Sequence, residues 1–194
     1  MRLLGDRKPG LAFVISGPSA AGKTTLVSML SKEFDCVEKS ISFTTRAPRP
    51  NEREGIDYHF ISSQEFEQKI ESGDLLEYAK VFDHYYGTSK SLVEAQKKRG
   101  KHVLLVIDTQ GAIQLMDFYA AAFIFISPPS IEELPKRMLS RKSETHDAIA
   151  HRLSWAEKEM ALSSRYDYCI VNEDLQTAYQ VLRSILIAEE HKNH

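Results

Sequence analysis

The segment Gly17–Thr24, GPSAAGKT, constrains this chain more than any other part of its sequence. It matches the pattern G-x-x-x-x-G-K-[ST] at every fixed position, and it lies between an apolar run at residues 11–15 and a helical pattern. In such a loop the backbone N–H groups turn inward around phosphate oxygens, and the following helix adds the positive end of its dipole. The segment therefore predicts a nucleoside triphosphate site and leaves the reaction open. A chance glycine-rich turn is the alternative.

Three further apolar runs look like the one before the loop, at residues 103–107, 122–126 and 168–171. Helical patterns lie between the runs, at residues 23–34, at 130–139 with Ser130 as N-cap, and at 174–188 with an acidic cap. Short continuous apolar strands that alternate with helices are typical of a parallel sheet buried on both faces. The sequence therefore predicts an α/β fold, a parallel sheet flanked by helices with right-handed crossovers.

Two segments break this alternation and predict inserted pieces. Residues 40–97 are polar, aromatic and rich in turns, and residues 130–165 are helical and dense in Arg and Glu. We predict one discontinuous domain whose core comprises residues 1–39, 98–129 and 166–194. An inserted subdomain spans 40–97, and a lid with hinge helices spans 130–165. The tail Glu189–His194 is polar, and its two histidines are expected to belong to a frayed end rather than to a metal site.

Composition narrows the choice of partners. The formal net charge is -2, from 25 Lys and Arg against 27 Asp and Glu, which disfavours a duplex nucleic-acid binder. The two cysteines, Cys36 and Cys169, lie far apart and favour reduced thiols in or near a core over a disulfide or zinc site. The start has no signal-peptide pattern, and the longest apolar run, 118–126, is shorter than a membrane span. We expect a cytoplasmic protein with no nucleic-acid, membrane or obligate protein partner.

A second anion site is predicted in the segment TRAPRP. Arg46 and Arg49 lie three residues apart and are fixed by Pro48 and Pro50, so their fork-shaped guanidinium groups can meet on one phosphate. Tyr58 and Tyr86 can add hydroxyl donors. A phosphotransferase between nucleotides needs two such sites, whereas a hydrolase needs one. Taken alone, however, the segment fits a solvated basic turn equally well.

Six segments in order, GPSAAGKTTL, SFTTRAPRPNEREGIDYHF, LLEYAKVFDHYYGTS, IDTQG, FISPPS and IVNEDL, closely resemble the guanylate kinase family. The resemblance runs from about Leu11 to about Leu186. It implies a P-loop nucleoside-monophosphate kinase fold with inserted GMP-binding and lid subdomains. It also implies transfer of the γ-phosphoryl group of ATP to GMP, and to dGMP, with Mg²⁺ as cofactor.

The resemblance implies roles for individual residues. The ATP-binding residues are Gly17, Pro18, Ser19, Ala20, Ala21, Gly22, Lys23, Thr24, Thr25 and Asn172, with the Thr24 hydroxyl as Mg²⁺ ligand. The GMP-binding residues are Ser42, Arg46, Arg49, Tyr58, Glu77, Tyr86, Thr88 and Asp108. The catalytic residues are Lys23, Arg46, Arg137, Arg141 and Arg152. A carboxylate at Glu77 suits guanine, which presents two adjacent N–H donors there, and such a site can reject the wrong base by ~10⁴–10⁵-fold.

Three of these assignments have ordinary alternatives. Glu77 taken alone is an exposed acid at a helix end, and Asn172 is a turn former before Glu173. The lid arginines fit a salt-bridged surface helix, because Glu144, Glu157 and Glu159 are near in sequence.

The chain departs from the family pattern at three places. Ala20 stands where the family usually has a glycine, and we expect helical-type backbone angles there. Val106 stands where an acidic residue is frequent, so Asp108 is expected to carry the charged role alone. Arg141–Glu144 replaces the more usual Gly-Thr after the lid arginine, which can alter lid flexibility.

Two other functions remain open from the sequence. Guanylate-kinase-like domains of scaffold proteins bind phosphopeptides in the GMP site, but they lose the phosphate loop, which is intact here. The second alternative function is a kinase for another nucleoside monophosphate. The combination of Ser42, Glu77 and Thr88 argues against it.

Overall fold

The computed structural model describes residues 3–81, 83–139 and 146–193, with the side chains of 138–139 and 146–152 outside that description. The strands of these residues are β1 (Ala12–Ser16), β2 (Val37–Lys39), β3 (Phe43–Thr44), β4 (His59–Phe60), β5 (Leu75–Val81), β6 (His84–Ser89), β7 (His102–Val106), β8 (Ala122–Ser127) and β9 (Tyr168–Val171). The helices are α1 (Lys23–Glu33), α2 (Ser63–Glu71), α3 (Lys90–Lys98), α4 (Thr109–Met116), α5 (Glu133–Leu139), α6 (His146–Ala161) and α7 (Leu175–Glu190).

The larger sheet has five strands in the order β2-β7-β1-β8-β9, and every pair in it is parallel. All four apolar runs form strands of this sheet within one residue of their predicted limits. The strand β2 was missed, because three residues at a sheet edge carry no apolar run. The predicted α/β class with a parallel sheet is confirmed.

The sheet separates two hydrophobic clusters, one on each face. Phe13 and Ile15 point to the face covered by α1 and α7, while Ala12 and Val14 point to the face covered by α3 and α4. Successive strand residues point to opposite sides of the sheet, and helices cover both sides, so both faces are buried. The carboxyl ends of β1 and β7 emerge from this buried sheet and lead into the candidate site.

Residues 40–97 contain a second sheet of four strands in the order β4-β3-β6-β5. Its strands β3, β6 and β5 are antiparallel neighbours, and Phe66 of α2 is fully buried against the rings of Tyr78 and Tyr85. The helix α4 of the core packs against β5. The segment therefore does depart from the alternating pattern, whereas the predicted subdomain limits stay predictions.

Two helix predictions have different outcomes. The Asp174 side chain accepts a hydrogen bond from the Thr177 amide and caps α7, as predicted. The helix predicted at 130–139 begins only at Glu133, so Ser130 lies in the preceding turn rather than at the N-cap.

The polar tail begins inside a helix, whereas the frayed end expected of its two histidines stays a prediction, because His194 lies outside the described residues. The helix α7 continues to Glu190, whose Oε1 accepts the backbone N–H groups of Gly5, Asp6 and Arg7 at 3.1, 2.9 and 3.0 Å. Its Oε2 lies 2.8 Å from Nε2 of the buried His102. The carboxylate thus ties the N-terminal segment to the last turn of the chain and to β7.

The cysteine prediction is half right. Cys36 and Cys169 are both free, and Cys36 packs against the core, but Cys169 is exposed on β9. No helix within the described ranges combines the length and the apolar character needed for a bilayer span.

Candidate functional site

The loop between β1 and α1 is open to an anion. Gly22 is the N-cap of α1 and has no side-chain cap, so the first amides of the helix remain available. Gly17 has φ +134°, and a Cβ there would lie 2.1 Å from the carbonyl oxygen of Ile126. The hydroxyl-bearing Thr24 and Thr25 follow in the first turn and are exposed. Pro18 and Ala21 are buried, and Ser19 is half-buried.

Ala20 does not have the helical-type angles expected for it. Its φ is +65°, in the left-handed region that favours glycine. An alanine there costs roughly 1 kcal/mol or more, because its Cβ crowds the backbone. The loop keeps this conformation although the chain carries no glycine at the position.

Asn172 braces the same loop. Its side-chain amide donates to the Ala21 carbonyl at 2.8 Å, its own N–H donates to Ser127, and it is 5% exposed. Its carbonyl accepts from Arg137 at 2.9 Å. Asn172 is therefore more than a turn former, because it joins the end of β9 to the loop and to α5.

Lys23 lies folded over the loop. Its Nζ donates to the carbonyl oxygens of Gly17 and Pro18, at 2.8 Å for Pro18. It also acts electrostatically on Asp108 and Glu159, which converge on it from β7 and α6. One cation thus faces two carboxylates beside the phosphate loop.

Asp108 follows β7 and caps α4. Its side chain accepts the Gly111 amide at 2.8 Å. Burial raises the pKa of Asp108, and the amides of Gly111 and Gln110 offset this in part. The position agrees with the rule that ligands gather at the carboxyl ends of parallel strands.

The structure brings together the side chains that were predicted to form a second anion site. Arg46 donates to Tyr86 Oη at 3.1 Å and lies over the ring of Tyr58, with 5.6 Å from Cζ to the ring centre. The Tyr58 and Tyr86 rings meet edge to face at 5.8 Å. Arg49 is more exposed, and it approaches Arg46 through Glu52. A solvated basic turn does not describe this cluster, because the Arg46 side chain is only 13% exposed.

Glu52 was missed by the sequence reasoning. Arg46 binds both of its carboxylate oxygens at 2.9 Å, and Arg49 approaches it at 3.8 Å. A carboxylate therefore occupies the donors that suit a phosphate. The spacing of Arg46, Arg49 and Glu52 at intervals of three residues was the available signal.

Glu77 is a buried strand residue, not an exposed acid at a helix end. It is 5% exposed, and Thr88 across the strand pair donates its hydroxyl to Oε1 at 2.6 Å. Burial raises the pKa of Glu77 to about 7, although the bond from Thr88 lowers it. A carboxylate whose charged form is disfavoured by burial gains from a ligand that brings N–H donors.

Strand register brings the predicted residues of the second sheet onto one face. Phe43 pairs with Gly87, so Ser42 continues the row opposite Thr88, which itself pairs with Glu77. Tyr86 lies two residues before Thr88 and therefore on the same face of β6, roughly 7 Å away. One face of the second sheet thus carries Arg46 and Tyr86 at one end and the Glu77 carboxylate at the other.

Glu159 was also misjudged from the sequence, where it was a candidate for a surface salt bridge. It is half-buried on α6, and its carboxylate lies 3.4 Å from the Thr109 hydroxyl. Burial raises the pKa of Glu159, and Lys23 offsets this in part. Arg141 and the side chain of Arg152 lie outside the described residues.

The arrangement suits transfer of an anionic group between two sites. Asp108 accepts the amide of Gly111, which lies against the Glu77 carboxyl group, and Asp108 also interacts electrostatically with Lys23 of the loop. Backbone amides dominate the first site, whereas guanidinium, phenol and carboxyl groups dominate the second.

Comparison with known proteins agrees with this geometry. The family model described as guanylate kinase matches residues 10–189. The guanylate kinase of Protochlamydia amoebophila is 55% identical over 192 residues, covering 99% of this chain and 98% of the relative. That of Chlamydia felis is 48% identical over 182 residues, covering 93% and 89%. A crystal structure of guanylate kinase from Anaplasma phagocytophilum matches with a TM-score of 0.78 at 36% identity, covering 95% of this chain and 88% of that one.

The structural match confirms the predicted P-loop nucleoside-monophosphate kinase-like fold class. The family model spans nearly all of the chain, and the identities to the two relatives are high over 98% and 89% of their lengths. This chain belongs to the guanylate kinase family.

Proposed function

We propose that this chain transfers the γ-phosphoryl group of ATP to GMP, giving ADP and GDP, and that it also accepts dGMP. The observation that carries the proposal is the single face of β6, where the Arg46–Tyr86 cluster and the Glu77–Thr88 pair lie roughly one nucleotide apart. The phosphate loop faces this strand pair across Asp108. A cytoplasmic location goes with this function.

The ATP site consists of the amides of the loop and Lys23. Lys23 leaves its carbonyl partners when a triphosphate enters and then contacts the β- and γ-phosphates, because phosphate oxygens are stronger acceptors for a cation. The same region suits Mg²⁺, which prefers one or two protein oxygens together with phosphates and water. The exposed Thr24 hydroxyl and the nearby Asp108 carboxylate are such oxygens. Bound there, Mg²⁺ would neutralise charge on the phosphates.

The GMP phosphate binds between Arg46, Arg49, Tyr58 and Tyr86. Phosphate entry displaces the Glu52 carboxylate from Arg46, because a dianion competes for the same guanidinium nitrogen, Nη2, which donates to both Glu52 oxygens. The guanine base lies against Ser42, Glu77 and Thr88. Its ring N–H and exocyclic amine donate to Glu77, which stabilises the charged carboxylate that burial disfavours.

Transfer needs alignment of the two nucleotides and cationic stabilisation of the transferring group. In this proposal Lys23 and Arg46 act from the two sites, and the lid supplies Arg137, Arg141 and Arg152. An arginine at such a position contributes ~10³–10⁵ in rate. Closure over the site also keeps water from the γ-phosphate.

The competing functions are separated by one assay. ADP release is followed with ATP and Mg²⁺ against GMP, dGMP, AMP, CMP and UMP. We expect turnover with GMP and dGMP, and less than 1% of that rate with the others, on the order allowed by such polar sites. No turnover with any acceptor would favour a binding module, and a preference for AMP would overturn the acceptor assignment.

The variant Lys23→Ala tests the donor site in the same assay. We expect turnover to be abolished while the far-UV circular dichroism and melting temperature remain close to wild type, because the side chain is half-buried at the surface of the loop. Normal turnover would remove the loop from the mechanism.

A further inference from the structure

The core helix α4 touches the guanine-reading strand β5 at two consecutive residues. Gly111 and Gln114, three residues apart and so on one helical face, meet Glu77 and Tyr78 respectively. Neither α4 residue was singled out from the sequence. Their contacts differ in kind, since one provides space and the other provides hydrogen bonds.

Gly111 provides space for the Glu77 carboxyl group. A Cβ at this position would lie 2.2 Å from Glu77 Oε2 and 2.9 Å from the carboxyl carbon. Gly111 has helical rather than left-handed backbone angles, so conformation does not demand a glycine here. Because glycine weakens a helix, its presence inside α4 is explained by the close approach of Glu77.

Gln114 holds the backbone of β5 at the next residue. Its side-chain amide donates to the Tyr78 carbonyl at 2.8 Å, and the Tyr78 N–H donates to its Oε1 at 3.3 Å. β5 is the edge strand of its sheet, so these backbone groups point away from β6. The amide therefore pairs with the free edge as a strand residue would, and anchors it to the core.

We propose that Gly111 and Gln114 are positioning residues for guanine recognition. Gly111 sets where the Glu77 carboxylate lies, and Gln114 sets the strand that carries it. The inference rests on the proposed GMP kinase activity. Since guanine brings two N–H donors, both carboxylate oxygens must be placed, and a misplacement of about 1 Å can cost ~10²-fold. Thr88 holds Oε1, and the open face of Gly111 receives Oε2.

The variant Gly111→Ala tests the space. We expect the GMP KM to rise at least tenfold, and the ratio of kcat/KM for GMP over IMP, which lacks the exocyclic amine, to fall at least tenfold. The ATP KM should stay within twofold. The melting temperature should change little, because the atoms that must move are the end of one side chain.

A double-mutant cycle shows whether Gly111 acts through Glu77. In the Glu77→Gln background, adding Gly111→Ala should change the GMP/IMP ratio by less than twofold, because the carboxylate is already gone. A further tenfold loss in that background would overturn the role, since α4 would then be acting on another part of the site.

The variant Gln114→Met tests the strand anchor and remains informative if Gly111→Ala does not fold. Methionine keeps the length and removes both hydrogen bonds. We expect the GMP KM to rise about three- to tenfold with the ATP KM unchanged. The matched control is Gln180→Met, an exposed glutamine on α7, for which no kinetic change is expected.

The outcomes separate the inference from the function it rests on. A wild-type protein that does not phosphorylate GMP would end both. A wild type that does, with Gly111→Ala and Gln114→Met keeping the GMP KM and the GMP/IMP ratio within twofold, would end the inference alone. An equal loss for GMP and IMP would also contradict it, because that pattern indicates general damage to α4.

Discussion

Glu77 and Glu190 are two carboxylates buried to a similar degree, 5% and 7% exposed, in opposite circumstances. Glu190 accepts three backbone N–H groups and faces His102. In the described part of the chain, Glu77 takes its donors from Thr88, and the negative charge of Asp108 helps to raise its pKa. A buried charge that the fold satisfies stabilises the fold, whereas one left partly unsatisfied favours the ligand that completes it.

The comparison is tested first at Glu190, where the largest effect is expected. Glu190→Ala should lower the free energy of unfolding by about 3 kcal/mol or more, because three amides and His102 lose a buried partner. Urea denaturation measures this, and the GMP and ATP KM values of the folded fraction should match wild type. The exposed Glu67→Ala on α2 is the control. An equally small loss in both variants would refute the structural role of Glu190.

Glu77→Gln should change substrate preference, whereas Glu190→Ala should change stability. We expect the preference for GMP over IMP and AMP to fall about a hundredfold, roughly 2.7 kcal/mol, because an amide cannot accept both guanine donors. An unaltered preference for GMP would show that a residue other than Glu77 recognises guanine.

The stability of Glu77→Gln sharpens the contrast and depends on pH. The pKa of Glu77 is raised by burial from 4.5 to about 7, so the folded state binds the proton more tightly than the unfolded state. The contribution of Glu77 to wild-type stability is therefore greatest below about pH 4.5 and is lost as pH rises to about 7. At pH 8 the variant should be more stable than wild type by up to about 3 kcal/mol, and the advantage should vanish near pH 4. A variant less stable than wild type at pH 8 would contradict the assignment.

Arg46 lies at the other end of the sheet face that carries Glu77, and a variant of Arg46 tests that end. Arg46→Ala should raise the GMP KM or lower kcat at least tenfold, about 1.4 kcal/mol, because the phosphate loses a two-pronged donor. Steady-state kinetics with varied GMP measures it, and Arg53→Ala, an exposed arginine of the same segment, is the control. Unchanged kinetics would show that Arg46 serves only its pair with Glu52.

The pH profile gives the smallest effect. Guanine needs the ionised Glu77, so kcat/KM for GMP should fall about tenfold from pH 8 to pH 6, following the free-enzyme pKa of about 7. The Glu77→Gln variant is the internal control, because its profile keeps only the titration of the nucleotide. Identical profiles would exclude Glu77 as the titrating group.

Prediction from sequence succeeded where the signal is local. The phosphate loop and four strands of the core sheet were located because a loop pattern and an apolar run are read from adjacent residues. It failed at Ala20, whose left-handed φ of +65° follows from the shape of the whole loop. It also missed Glu190, because helical composition says nothing about the distant amides of Gly5 to Arg7 that this residue binds.

The order of residues was enough to specify the nucleotide loop, the α/β alternation and the family. Tertiary structure alone decided that Glu77 is buried, that Glu52 occupies Arg46, that Glu159 turns inward, and that α4 approaches β5 through Gly111. The physical reason is that burial, charge state and close contact depend on residues that are distant in the sequence but adjacent in space. Hydrogen-bonded loops and apolar periodicity, in contrast, are formed by residues next to one another in the sequence.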